Sequence, residues 1–408
     1  MLRILVVIYY LLFSNSLFSK EVPVIVIAPS KKPQSISTVG TTITILDQNY
    51  FKNSKEIFLG DVLSSNSTST NFFQSGGYGT SSAIQLRGLP KRYSTVYIDG
   101  VKMSDPSSVS NDFDFNHILT SQISRVEILK GNQSSVYGSG AIGGTINIYT
   151  KEPKEGFHKD FQYNTGSNGL QNISGLISGA DKKKSFYLGL ERFHTDGISQ
   201  MSHNEEKDAY RNNSFLGKFD TQLNNDLEFE GIVRFRDTYL QYDKVIDTAT
   251  ATHDEEVDGI EASYNMSIIY DLNKKFTNSL TFANTYIKRI YGATENSGNS
   301  FQDNYYGDRY AMSYIGNYNF NLDNSIVFGL EREDDRIGYN KDLSGRKNKH
   351  NYVTSKFFDL QSRITNNFYF TIGSRFDEHS IAGNEDSHRA TLAYLFDDKN
   401  LKIKSSYG

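Results

Sequence analysis

Hydroxyls and an amide crowd the stretch Gln74–Ser82, which holds Gln74, Ser75, Tyr78, Thr80, Ser81 and Ser82, and no Lys or Arg falls between Lys55 and Arg87. Side chains of this kind supply neutral donors and acceptors, which suits holding a large polar molecule rather than transforming it. An enzyme would need a nucleophile, a base and an orienting acid, and the 8 histidines show no such grouping. Cysteine is absent, which excludes thiolate metal sites and disulfide exchange. The run Asp254-Glu255-Glu256 reads as a solvated acidic loop. A formal net charge of −4 without a basic block argues against nucleic acid as a partner.

The chain opens with Arg3, an apolar run from Ile4 to Phe13 and small polar residues ending near Ser19. That is the layout of a secretory signal peptide over 1–19, and the run is too short to span a bilayer as a helix. Beyond it, 27 Tyr, 27 Phe and 32 Gly against 6 Pro mark a β-rich, exported chain whose stability must come from burial and sheet closure.

Two regimes meet near Thr150. Residues 35–150 predict a compact α/β domain, with strands at Thr41–Leu46, Ala83–Leu86 and Val96–Ile98 and helices around Phe58–Leu63 and Phe115–Ile123. Residues 151–408 alternate polar and apolar in segments bounded by Asn, Asp, Gly and Lys, the signature of transmembrane strands. In Leu227–Arg236 the odd positions Leu227, Phe229, Val233 and Phe235 suit lipid, while Glu228, Glu230, Arg234 and Arg236 suit a wet lumen. The same parity separates Met312, Tyr314, Tyr318 and Phe320 from Ser313, Asn317 and Asn319, and Phe370, Ile372 and Phe376 from Thr371, Arg375 and Asp377. The expected fold is therefore β: an antiparallel transmembrane barrel of about a dozen strands with an N-terminal α/β domain.

Four blocks occur in order in that first domain: Leu86-Arg87-Gly88, Val96–Val101 with the turn Asp99-Gly100, Ile123–Gly131, and Ser135–Ile148. Together they resemble the plug of the TonB-dependent outer-membrane receptors. The resemblance implies a plug filling a barrel lumen, location in a Gram-negative outer membrane among its lipids, a monomer, and energised uptake of a scarce nutrient. A filled lumen argues against a passive porin. It also implies that Arg87, Arg125, Glu127 and Lys130 belong to a charge network holding plug to wall. The pentad Val24-Ile25-Val26-Ile27-Ala28, within 20–34 and flanked by Pro23 and Pro29, resembles the TonB box, the strand offered to the TonB energy-coupling protein by strand addition. Ile27 stands where that motif usually has Thr. Relatives of this family use about 22 strands, and the chain stops inside an alternating segment, so a C-terminally incomplete barrel is expected.

Within the family the likeness is to the cobalamin receptors. Gln74–Ser82 stands at their Gly-rich apical loop and Val101–Pro106, with Ser104 and Asp105, at a second ligand-facing loop. His194-Thr195-Asp196-Gly197, Tyr242-Asp243 and Ser406-Tyr407-Gly408 extend it into the barrel. The resemblance implies cobalamin as ligand; a ferric siderophore or haem is the alternative, because plug motifs are shared. It implies calcium at loop carboxylates as well. Asp208, Tyr242 and Asp243 match part of that pattern, and Ser199 replaces an expected acid. No other cofactor is expected.

Overall fold

The computed structural model describes residues 25–66, 70–108, 113–199, 206–243, 254–294, 300–341, 345–396 and 401–408. The leader at 1–19 and Val24 lie outside the described residues.

The chain begins with a two-residue ribbon, β1 (Ile25–Val26) on β2 (Gln34–Ser35). There follow β3 (Thr42–Leu46), α1 (Gln48–Asn53), α2 (Leu59–Asn66), β4 (Thr70–Gln74), β5 (Ser82–Leu86), β6 (Ser94–Ile98), β7 (Val101–Lys102), β8 (Ile123–Lys130), α3 (Ser134–Tyr137) and β9 (Gly144–Thr150). Asp47 caps α1, its carboxylate accepting from Tyr50 N at 3.0 Å. Five of the strands form one sheet in the order β3-β8-β9-β6-β7, antiparallel except for β6 beside β9, while β4 and β5 form a separate ribbon. Leu59, Val62, Leu63, Ile84, Leu86, Ile128 and Ile146 bury against one another as its core. Asp99 and Gly100, at φ 48° and 81°, turn β6 into β7 with both central residues left-handed, the geometry that Asp-Gly supplies.

The predicted helix at Phe115–Ile123 is a single 3₁₀ turn over Phe115–His117. Beyond it the backbone pairs with a distant segment instead of with itself: Leu59 N donates to Ile118 O, and Thr120 N to Ile57 O, each at 2.9 Å. Non-local pairing has overridden local propensity.

From Gly156 onward every strand is antiparallel to its neighbour: β10 (Gly156–Thr165), β11 (Gln171–Ala180), β12 (Lys184–Thr195), β13 (Tyr210–Asn224), β14 (Leu227–Asp243), β15 (Asp254–Asn273), β16 (Phe276–Thr294), β17 (Ser300–Asn319), β18 (Asn324–Lys341), β19 (Gly345–Thr365), β20 (Phe368–His379), β21 (Gly383–Leu395) and β22 (Lys402–Tyr407). These 13 strands make one sheet whose outermost members are β10 and β22. Parity works as expected: Val233, Phe235, Met312, Ile372 and Phe376 face outward and exposed, while Arg236, Arg375 and Arg389 are buried on the inner face. Turns at one end are short, as at 225–226 and 274–275, whereas connections at the other, such as 196–209, are longer. Barrels place the longer loops outside the cell.

Candidate ligand site and the N-terminal latch

Strand β5 buries alternate residues, so its first residue, Ser82, points into the plug and the preceding Ser81 points out. Ser82 Oγ accepts from Phe115 N (2.9 Å) and Asn116 N (3.2 Å) and donates to Asp114. It is a structural clasp. Gln74 is likewise turned onto its own loop, its amide donating to Gly77 O at 2.6 Å. Tyr78 packs its ring, tilted, against Phe58 at 5.3 Å and edge-on against Phe193 at 5.2 Å between centroids. Ser104 is buried, and its carbonyl accepts from Arg309 Nη1 at 3.0 Å.

The remaining loop residues converge. Ser75, Thr80, Ser81 and Asp105 line a cavity of about 540 Å³ at the long-loop end, between the plug apex and the inner faces of β14–β16. Gly79, at φ +78°, presses against the wall there: a Cβ at this position would come within 2.2 Å of the Tyr210 ring. The cavity's charges balance. Lys91, Arg236, Lys288 and Arg289 are matched in number by Asp105, Asp114, Asp243 and Glu261. Several are paired directly: Arg289 meets Asp105 at 2.8 Å and Arg236 is salt-bridged to Glu261. Half-buried His117 forms part of the floor, with Tyr210 Oη 2.8 Å from its Nδ1. Burial there holds its proton affinity below the ordinary histidine range, which keeps the ring neutral. The plug residues Phe113, Asp114 and His117 were not singled out in the sequence, and neither were Glu261 and Arg289. Lumen parity was their available signal, but parity alone does not say which rung of a long strand meets the cavity.

Tyr242 and Asp243 line the same cavity, and Gln241 N donates to Ala209 O across the rim, which brings Asp208 alongside them. The described residues contain no group of three or more His, Cys, Asp or Glu able to hold a metal.

The plug charges sort differently from the expected network. Glu127, fully buried, accepts from Ala28 N at 2.9 Å and Ile27 N at 3.1 Å and pairs with Arg125 at 2.6 Å; Arg125 also donates to Ile25 O. Tyr137 Oη closes the set on Ala28 O at 2.7 Å. Arg125 and Glu127 thus latch the N-terminal segment, and their side-chain bonds among the described residues run to it and to each other. Burial raises the Glu127 carboxyl above the ordinary range, while the two amides and Arg125 pull it back. Lys130 is buried, with its affinity for a proton lowered by desolvation. Arg87 is exposed at a left-handed turn (φ 55°) and pairs with no acid among the described residues. Plug and wall are joined mainly from the wall's side. Arg375 donates to Val136 O at 3.2 Å, Arg389 to Gln133 Oε1 at 2.6 Å and to Pro29 O at 3.0 Å, and Asn265 to Asp99 O at 3.1 Å.

An α/β plug tied by polar side chains to the inner face of an antiparallel wall defines a plugged β-barrel architecture. Residues 35–145 match the TonB-dependent Receptor Plug Domain. The chain carries this domain near its N-terminal end. It is similar to the Vitamin B12 transporter BtuB of Photobacterium profundum, 24% identical over 341 residues that are 82% of this chain and 53% of that protein. In fold it resembles the ferric yersiniabactin uptake receptor FyuA of Yersinia pestis (TM-score 0.71, 19% identity, 90% of this chain and 64% of that one). It also resembles the ferripyoverdine receptor of the outer membrane of Pseudomonas aeruginosa (TM-score 0.73, 12% identity, 94% and 58%). The chain spans about half the length of the curated relative it matches.

Proposed function

We propose that this protein is an outer-membrane importer that captures cobalamin at its apical cavity and passes it inward, driven by a coupling protein of the TonB kind that engages Val24–Ala28. The carrying observation is the charge balance of the cavity. Its four cations face four acids, and its plug side presents Ser75, Thr80 and Ser81. Cobalamin is largely neutral and bears many amides, so it asks for neutral donors and acceptors; an anionic iron chelate asks for an excess of cations. The similarity to a Vitamin B12 transporter supports the same ligand. The second reading, a ferric-chelate receptor, draws on the fold neighbours, whose ligands include ferripyoverdine.

Equilibrium titration of the refolded protein with cyanocobalamin and with ferric hydroxamate and catecholate chelates separates the two. Saturable binding of cyanocobalamin without binding of the chelates is the expected result, and the reverse pattern rejects cobalamin while leaving the importer reading in place. Calcium at the rim would draw on Asp208, Tyr242 and Asp243. With so few acids it would act only at about 0.1–1 mM, the range of weak extracellular sites. Cyanocobalamin affinity that collapses on lowering free calcium to micromolar would show a stronger site.

A further inference from the structure

The outward face of the wall carries a cation that the protein leaves unmatched. Arg192 is exposed on β12, just before that strand ends in the long 196–209 connection, and no acid pairs with it among the described residues. Its partners on the adjacent strands, Ile173 and Asn213, are uncharged. The nearby acid, Asp237, is already engaged: Asn213 Nδ2 donates to it at 3.0 Å and Arg211 lies 3.7 Å from it.

Below Arg192 the same face is apolar and has a gap. Phe161, Gly175, Leu190, Phe215 and Phe235 are successive partners on β10–β14 and form a single rung. Gly175 leaves that rung one side chain short, since a Cβ there would meet only the Phe161 ring, at 4.0 Å. The result is a pit of about 430 Å³ walled by Ile173 and the apolar residues of the rung, with Arg192 and Asn213 at its lip. Phe161, Leu190 and Phe235 are exposed there, and so are Ile177, Leu188 and Val233 on the next rung down. Arg192 therefore marks the upper edge of the apolar band.

We propose that this pit is a binding site for a phosphorylated lipid of the outer leaflet, with one acyl chain lying over Gly175 and the phosphate on Arg192. A guanidinium at the edge of hydrocarbon is costly until an anion meets it, and a phosphate accepts its N–H donors in pairs. A lipid head group is the anion within reach at that depth, and the apolar gap below takes the chain that the same molecule carries. Barrels of this kind set their long-loop end outside the cell, which puts Arg192 in the outer leaflet. The inference rests on the reading of the wall as spanning an outer membrane and is independent of which ligand the apical cavity takes.

Native mass spectrometry of the refolded protein in detergent tests the site, with diphosphoryl lipid A, the same lipid stripped of its phosphates, and inorganic phosphate as probes. One lipid A should be retained per chain, and neither other probe should be retained or displace it. Arg192→Gln and Gly175→Leu should each lower retention by about five-fold or more. Arg332→Gln is the control, because Arg332 is also exposed on the wall but is bonded to Asp334 at 2.9 Å; it should retain lipid A as the parent does. A heat-modifiable band on gels reports that each variant has folded. Equal retention of the stripped lipid, displacement by inorganic phosphate, an equal loss in Arg332→Gln, undiminished retention in Arg192→Gln, or a dimer of the chain in place of a lipid adduct overturns the site. Protein that fails to enter bilayers at all overturns the membrane reading instead.

Discussion

Arg309 grips Asp335 through two parallel bonds, Nε to Oδ1 at 2.7 Å and Nη2 to Oδ2 at 2.9 Å, and turns its remaining nitrogen to the Ser104 carbonyl. Asp335 fixes the guanidinium, and the guanidinium fixes the plug. Only arginine presents three donors in this planar fork. Arg309→Met leaves Asp335 without its fork partner and Ser104 O without a donor, and should destabilise the folded protein by about 3–5 kcal/mol. Arg309→Lys should recover the charge and lose the geometry, freeing the Val101–Pro106 loop. Denaturant midpoints and limited proteolysis of that loop check both.

Ser81 and Ser82 should separate cleanly despite being adjacent. Ser82→Ala removes the acceptor of two buried amides and should cost the plug roughly 1–3 kcal/mol with no direct loss of ligand contact. Ser81→Leu places an apolar side chain in the apical cavity and should weaken cyanocobalamin binding about ten-fold or more with stability unchanged. Calorimetric titration and urea unfolding of the two single variants measure the split.

Glu127 should make stability depend on pH. Burial raises its carboxyl above the usual range, although the amides of Ile27 and Ala28 and the Arg125 guanidinium favour the ionised form. A folded value raised above the unfolded one means that this carboxyl favours folding most at low pH, and that contribution is lost as pH rises through the folded transition. Glu127→Gln should therefore flatten part of the pH dependence of the urea midpoint between pH 4.5 and pH 7. A midpoint profile identical to the parent's would count against a raised Glu127.

Coupling can be isolated from capture. Ile25→Pro removes a backbone donor at a position about half exposed, away from the apical cavity. Uptake of cyanocobalamin should fall to background while its affinity stays within about two-fold of the parent. Normal uptake by this variant would sink the coupling assignment.

Much of this architecture was legible because sheets write their faces with a period of two. Leu227–Arg236 and Met312–Phe320 declared their inner and outer sides residue by residue, and Asp99-Gly100 declared its turn. The segment Phe115–Ile123 misled, since its apolar spacing fits a helix and its hydrogen-bond partners, Ile57 and Leu59, lie far back in the chain. Ser82 could have been placed correctly from its parity with Ile84 and Leu86. Arg125 and Glu127 showed themselves as charges in an apolar strand, yet what they hold is a backbone a hundred residues earlier, and backbone amides leave no mark in a sequence. Gathering Arg236, Glu261 and Arg289 around one cavity required the register of three strands at once.

The strand order of the plug carries a consequence for how the molecule assembles. Each wall strand pairs with the next in sequence, so the wall can zip up hairpin by hairpin, whereas Thr42 must find Lys130 and Ser94 must find Gly144 in parallel before the plug sheet exists. Closing such long loops is entropically slow, and rates fall as contacts become more distant in sequence. The plug sheet is paired at greater sequence distance than the wall, so its formation should be the slower step. Its anchors Arg309, Arg375 and Arg389 stand on a wall built from local pairs, ready to receive each plug carbonyl as it arrives.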